Sequence, residues 1–439
     1  MSSSSNRIVE LSALIHENTI KVDEFITANG LPTPSFDISQ PPVLPLPPHI
    51  DSLRKAVIAA SDELKTLMLG PIPALIDNRH NSLNSLNAIA RFGIANTFPA
   101  TETSTFNAIA QATSLPESDI RRIVRHAMTY HVFREPTPGI VAHTALSKAL
   151  IDIPPLRSFV GFLAQELWAA STKMVDAMVK WPGSEEPNQA GFNLAHNTEL
   201  PMFDFIKGDS LRAQQMAAAM ALMHSDPGYD IKYALDNFPW GAAAQGVLVD
   251  VGGGTGTITA EIARYHPKMK CVVQDVPAVI EGAVVPEDLK DGERLRFMEH
   301  DFFEVQPVKE ADVYFLRWIL HDWSDKYALK ILQNTIPALK PGARILVLDM
   351  CLPPPCVLSP YQEREARFYL RLSNAHWVSN VKFRAFDLTM KEVQNAKERD
   401  EEEWATLFAQ ADPSGKLKYE GVKTPEGSIM SMISAVWTG

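Results

Sequence analysis

The chain has 439 residues, of which 46% are hydrophobic and 21% charged; this predicts roughly two to four domains and excludes a disordered or fibrous protein. Its 41 Lys+Arg against 52 Asp+Glu give a net charge of -11, a field that opposes nucleic acid and anionic membrane surfaces. Three cysteines without a CxxC pair exclude a disulfide framework, and no Cys/His cluster has metal-ligand spacing.

No run reaches the roughly 18–20 apolar residues of a bilayer span, and the first residues lack a basic-then-apolar signal pattern; both predict a cytoplasmic protein. Ile8, Leu11, Leu14 and Ile15 recur at helical spacing and predict a helix from Arg7 to Ala28. Seven prolines follow between Pro32 and Pro48. With fixed φ and no N–H, they predict an extended connector. Residues 50 to about 150 read as helical, closed by a hairpin. Pro116 and Asp119 mark a helix start, and Ile120, Ile123, Val124 and Met128 its apolar stripe. The run Arg134 to Gly139 (REPTPG) reads as a turn between His131–Phe133 and Ile140–His143. Helix, helix and hairpin make a winged-helix pattern. Arg121, Arg122 and Arg125 offer a DNA-binding reading of it. A solvated polar face, or a module used for dimerisation, is the alternative that the acidic chain favours.

Residues 151–245 read as mostly helical. From Gly246, short Val/Ile/Leu-rich runs alternate with helical ones, and two further strands flank a Pro-Glu-Gly turn near the end. The alternation predicts an α/β, doubly wound, mainly parallel sheet covered on both faces.

The strongest motif is Asp250-Val251-Gly252-Gly253-Gly254-Thr255-Gly256, directly after the strand Val247–Val249. Glycines suit a tight turn that a ligand approaches closely. The helix that follows places Ile258, Ile262 and Tyr265 on its inner face. The next strand ends at Asp275, where an acid can accept from a ribose diol. Asp250 suits a cation and repels a pyrophosphate, which favours S-adenosyl-L-methionine over a dinucleotide. A glycine turn with no ligand is the remaining alternative. After the third strand come Asp301 and Phe302, an acid for an adenine amino group and a ring to pack on it, or else a helix cap and core aromatics. The fourth strand, Asp312–Phe315, leads into Arg317, Trp318 and His321. A histidine just past a strand's carboxyl end suits general base work, or simple packing between Trp318 and Trp323. Either Asp349 or Glu398 is placed to hold its other N–H. Asp400 and Glu403 read as a capping box.

Taken in order, DVGGGTG, VVQDVP, EHDFFE, LRWILHDWSD, KPGARILVLD and NAKERDEEEW resemble the plant and fungal small-molecule O-methyltransferases. The likeness is strongest from Phe238 to Trp404; the N-terminal part is similar to the fungal branch. It implies four segments: 1–48, a helix and Pro-rich connector; 49–155, a winged-helix dimerisation domain; 156–240, a helical connector that walls the acceptor pocket; 241–439, the methyltransferase domain. It implies that Gly252 and Gly254 meet the amino-acid end of S-adenosyl-L-methionine, Asp275 the ribose, and Asp301 and Phe302 the adenine, with Arg317 near the cofactor. His321 matches the general base, and Asp349 and Glu398 the carboxylates that position it. Plant members carry Glu at the place of Asp349 and often Lys at that of Arg317. His131, Met202 and Phe203 are expected at the acceptor, which the resemblance makes an aromatic or polyketide-derived metabolite, methylated without a metal by a homodimer. About 17 residues at 368–384 look like an insertion. Relatives that use the cofactor for pericyclic or dehydration chemistry are the rival reading; a DNA-binding regulator and a nicotinamide oxidoreductase stand further off.

Overall fold

A computed structural model describes residues 6–76, 80–355, 357, 359–364 and 384–439. The expected insertion lies outside the described residues, apart from Arg384, which opens a helix. The first helix, Arg7–Ala28, has the expected bounds and packs on a second, Pro48–Leu69, around Ile26, Leu46 and Ile50. Pro48 stands in the first turn of that second helix, where its missing N–H costs nothing.

Strands β1 (Thr103–Thr105), β2 (Phe133–Thr137) and β3 (Ile140–His143) form a small antiparallel sheet in the order β1-β3-β2. The expected hairpin is present, and the helix Glu117–Met128 follows Pro116. Two of its arginines are engaged locally: Arg125 pairs with Glu135 at 2.8 Å, and Arg121 with Glu117.

The main sheet holds β4 (Val247–Val251), β5 (Lys270–Asp275), β6 (Leu295–Glu299), β7 (Val313–Arg317), β8 (Arg344–Asp349), β11 (Leu417–Lys423) and β12 (Ser431–Trp437). Its order is β11-β12-β8-β7-β4-β5-β6. Strands β4 to β8 run parallel, and β12 is antiparallel to both neighbours. Two short strands, β9 (Cys351–Leu352) and β10 (Arg399–Asp400), pair in parallel nearby.

Period-two alternation gives the sheet two apolar faces. Leu248, Val273 and Phe315 pack on one face, under the helix Thr257–Tyr265. Val249, Val251, Tyr314 and Ile345 pack on the other, under the helices Asp325–Thr335 and Glu401–Ala411. Ile262 is buried as expected, but Tyr265 is 52% exposed; its hydroxyl reaches out to Asp236 at 3.0 Å. The last turn of that helix has passed the sheet edge.

The capping box at Asp400 and Glu403 is formed in both directions, at 2.9 and 3.1 Å. Asp400→Ala is expected to cost about 1 kcal/mol, read as a lower urea midpoint at unchanged m-value; an unchanged midpoint contradicts the cap's role.

Candidate active site

Asp250, Asp275, Asp301, His321 and Asp349 stand at or just past the carboxyl ends of β4 to β8. After β4 the chain turns on Gly252 (φ 76°), Gly254 (φ 59°) and Gly256 (φ 74°). A Cβ at Gly252 would stand 2.5 Å from Ile319. Gly254 has no heavy atom within 4 Å of its Cβ position, so the turn is open on that side. The Gly254 amide donates to Asp275 at 2.9 Å, and the other oxygen of Asp275 accepts from Val276 at 2.8 Å. Asp301 is exposed after β6 and accepts from the Phe303 amide at 2.9 Å, a local turn contact. Phe302 sits edge-on to Phe303 at 4.9 Å.

Asp250 does not face the open side of the loop. It shares the sheet face of Leu248, is 3% exposed, and accepts the hydroxyl of Thr259 in the helix above. Burial pushes its carboxyl up to about 6, while Thr259 and Arg317 draw it down. Its carboxylate therefore sits against the helix Thr257–Tyr265, beside the glycine turn. Arg317, at the end of β7, donates to the Tyr229 carbonyl at 3.1 Å, and its Nε is buried without a partner.

His321 sits in a short 3-10 turn, Leu320–Asp322, and is 5% exposed. Its Nδ1 lies 2.8 Å from Glu398 Oε1. Asp349 does not touch the ring: it accepts from the His321 backbone N–H at 3.2 Å, and its other oxygen has no partner. Asp349 shares the sheet face of Ile345 and Val347, directly beneath the turn, so its short side chain meets the main chain first. Burial pushes Asp349 up to about 7 and Glu398 up to about 8; Arg399 opposes both shifts.

Two functional groups escaped the sequence reading. Asp322 approaches His321 Nε2 at 3.6 Å and accepts from Gln394 at 3.0 Å. Arg399, fully buried, donates to the carbonyls of Leu320 and Trp323 and to Asp325, at 2.8 to 2.9 Å. It grips the His321 turn from both ends. Arg399 lies in the run ERDEEEW, which the sequence marked only as a capping box; its place beside Glu398 was the available clue.

His321 and Asp322 line a cavity of about 470 Å³. Its other walls are mostly apolar: Phe159, Phe162 and Leu163 from one helical segment, Met216, Met220 and Met223 from a second, and Phe386, Met390 and Val393 from a third, with His224 and Thr389 among them. Met202 and Phe203 line it as well. His131 does not; it is exposed, at a backbone φ of 62°, and stacked on Phe36 of the Pro-rich connector at 3.9 Å.

Residues 183–412 match the O-methyltransferase domain family. O-methyltransferase kk1A of Curvularia clavata is 35% identical over 98% of both chains. The chain belongs to the O-methyltransferase family. Chlorophenol O-methyltransferase of Trichoderma longibrachiatum is 36% identical, over 99% of this O-methyltransferase chain and 91% of its own. Among solved structures, OxaC in complex with SAH and oxaline has a TM-score of 0.69 at 21% identity, over 97% of this chain and 100% of its own. LepI in complex with SAM has 0.64 at 19%, over 98% and 100%. At these identities both likenesses concern the fold. Among the described residues no helix is long and apolar enough to cross a membrane.

The buried acids set a pH dependence of stability. An acid that holds its proton more tightly folded than unfolded stabilises the fold fully below the ordinary carboxylate range, and that contribution is lost as pH rises through the folded value. Asp349 and Glu398 both shift upward. The melting temperature is thus expected to fall from about pH 5 to about pH 8, and less steeply in Asp349→Asn. Equal slopes in the two proteins contradict this.

Proposed function

We propose that this enzyme methylates a phenolic or enolic hydroxyl of a small secondary metabolite, with S-adenosyl-L-methionine as donor and His321 as general base. The observation that carries the reading is the 2.8 Å contact of His321 Nδ1 with Glu398, which leaves Nε2 on the side of the cavity that His321 and Asp322 line. Glu398, when ionised, accepts the Nδ1 proton and fixes the tautomer whose Nε2 can take a proton from the acceptor.

The residues at the strand ends fit the donor. The turn is open above Gly254, the Asp275 carboxylate lies beside it, and Asp301 and Phe302 follow at the next strand end. Gly252 and Gly254 give backbone access, Asp275 suits the ribose, and Asp301 and Phe302 suit the adenine. Arg317 closes the floor with its buried guanidinium. The Asp250 charge works through the turn it supports.

A free phenol with pKa near 10 and a free imidazole near 6.5 differ by about 3.5 units, so full proton transfer between them in water is uphill by about 4.8 kcal/mol. When bound, S-adenosyl-L-methionine supplies the methyl group and a sulfonium charge worth on the order of 5 kcal/mol to an oxyanion about 3 Å away at an effective dielectric of 20. The terms are comparable for a phenol or enol and not for an aliphatic alcohol. His321 therefore suffices as base for acidic hydroxyls, and no step requires a metal. Met202 and Phe203, from the cavity wall, would contact the ring of an aromatic or polyketide-derived acceptor. A homodimer with a winged-helix module between subunits, working in the cytoplasm, completes the proposal.

A second reading keeps the fold and the cofactor and rearranges the substrate without methyl transfer; a solved structure of this fold is named a pericyclic reaction enzyme. The intact His321–Glu398 pair favours transfer. Product mass separates the two: transfer adds one CH2 unit and releases S-adenosylhomocysteine, and rearrangement adds nothing.

His321→Ala is expected to lower kcat at least 100-fold while S-adenosylhomocysteine still binds by calorimetry; near-normal turnover refutes the base. Because burial raises Glu398, kcat should climb with pH towards about 8, and Glu398→Gln should lose that limb. A flat profile in the wild type contradicts the pairing.

A further inference from the structure

The polar groups of the cavity differ in one respect. His321 is held by Glu398, Asp322 by Gln394, and the Thr389 hydroxyl by the Ala385 carbonyl at 3.1 Å. The imidazole of His224 also lines the cavity, yet among the described residues its nitrogens have no hydrogen-bond partner. Its side chain keeps an exposed face and stands beside two aromatic rings, Tyr229 at 5.8 Å and Trp318 at 5.9 Å. Trp318 also carries His321 on its ring, at 4.4 Å. One indole thus separates two imidazoles, one serving as base and the other unengaged.

His224 ends the helix Ser210–His224, where a cation would usually be welcome. Here the surroundings keep it neutral. Burial is the main cause, and Arg317 and His321 add to it, drawing its pKa down to about 4. A neutral imidazole has one N–H donor and one acceptor nitrogen. It can therefore bond either a hydroxyl or a carbonyl. In a wall otherwise built from Phe, Met, Leu and Val, an acceptor with no group to offer it would strip its water and leave it unpaired.

We propose that His224 is the specificity-determining anchor of the acceptor: it hydrogen-bonds a second oxygen, set apart from the hydroxyl that faces His321, so that the preferred acceptors are aromatics with two separated oxygens. This rests on the reading of the cavity as the acceptor site. Packing alone would ask only for a flat ring between Tyr229 and Trp318, and any aromatic side chain meets that need. The difference is measurable in the choice between ligands.

The probes are 2,7-dihydroxynaphthalene and 2-naphthol, which share one skeleton and differ by one hydroxyl. Their binding to the full chain is measured by calorimetry with S-adenosylhomocysteine present. The wild type is expected to prefer the diol roughly tenfold. His224→Met should bring the ratio close to one, and His224→Gln, which keeps a donor and an acceptor, should restore most of it. No preference in the wild type, or a preference that survives in H224M, overturns the proposal. The wild-type ratio stands even where H224M does not fold. Binding ratios are read without turnover, so they are separate from a failure of the methyl-transfer reading, which shows instead as no methylated product or as undiminished turnover in His321→Ala.

Discussion

Everything at this site depends on one hydrogen bond made out of water, between His321 Nδ1 and Glu398 Oε1. In bulk solvent an imidazole–carboxylate contact is weak and its geometry loose. Here Glu398 is 1% exposed and His321 5%, and in such surroundings a polar contact is stronger while a missing one is costly. The same burial resists ionisation of Glu398. The pair is therefore poised: it has a strong reason to share a proton and a moderate cost for holding a charge. Arg399 reduces that cost, because its cation lies on the residue next in the chain.

The ring must also point correctly, and the backbone does this work. Trp318 adopts φ 57°, a conformation unusual for a bulky side chain. Such a residue costs on the order of 1–3 kcal/mol and persists only where the surroundings over-determine it. They do so here. The Trp318 amide is tied to the Leu348 carbonyl at 3.1 Å, Asp349 takes the His321 amide, and Arg399 takes the carbonyls of Leu320 and Trp323. A sharp departure from β7 is converted into a fixed direction for the imidazole.

The sheet was legible because its signals are local, and the groups proposed for the donor stand on the same stretches of chain. A Val/Ile run followed by a glycine turn and a helix is one continuous stretch of chain, and each acid stands at the end of its own strand. Asp250 shows the limit: its sequence neighbours put it beside the turn, but strand alternation puts its side chain on the helix side, against Thr259. Asp349 and Glu398 were both legible as candidates, yet which of them meets the ring depends on how the His321 turn sits over β8. No spacing records that. Arg399 was missed for the same reason, since it acts on groups far along the chain. His131 fails as a cavity residue because the connector that receives it comes from another segment altogether.

The two halves of the site also differ in what they can tolerate. The donor side is built from backbone turns and carboxylates, where one added methyl at Gly252 would strike Ile319. The cavity side is built from side chains on at least four helices, and Met216, Met220 and Met223 form one of its walls. Methionine is flexible and fills irregular space, so that wall can reshape around different rings at small cost. Apolar packing then selects only for size. Discrimination among acceptors of one size falls to the few polar groups that the wall contains, because an unpaired buried donor or acceptor is penalised where a slightly looser methyl contact is not. A cavity of this composition can thus keep its base and its donor turn unchanged while its choice of acceptor shifts with a single polar substitution.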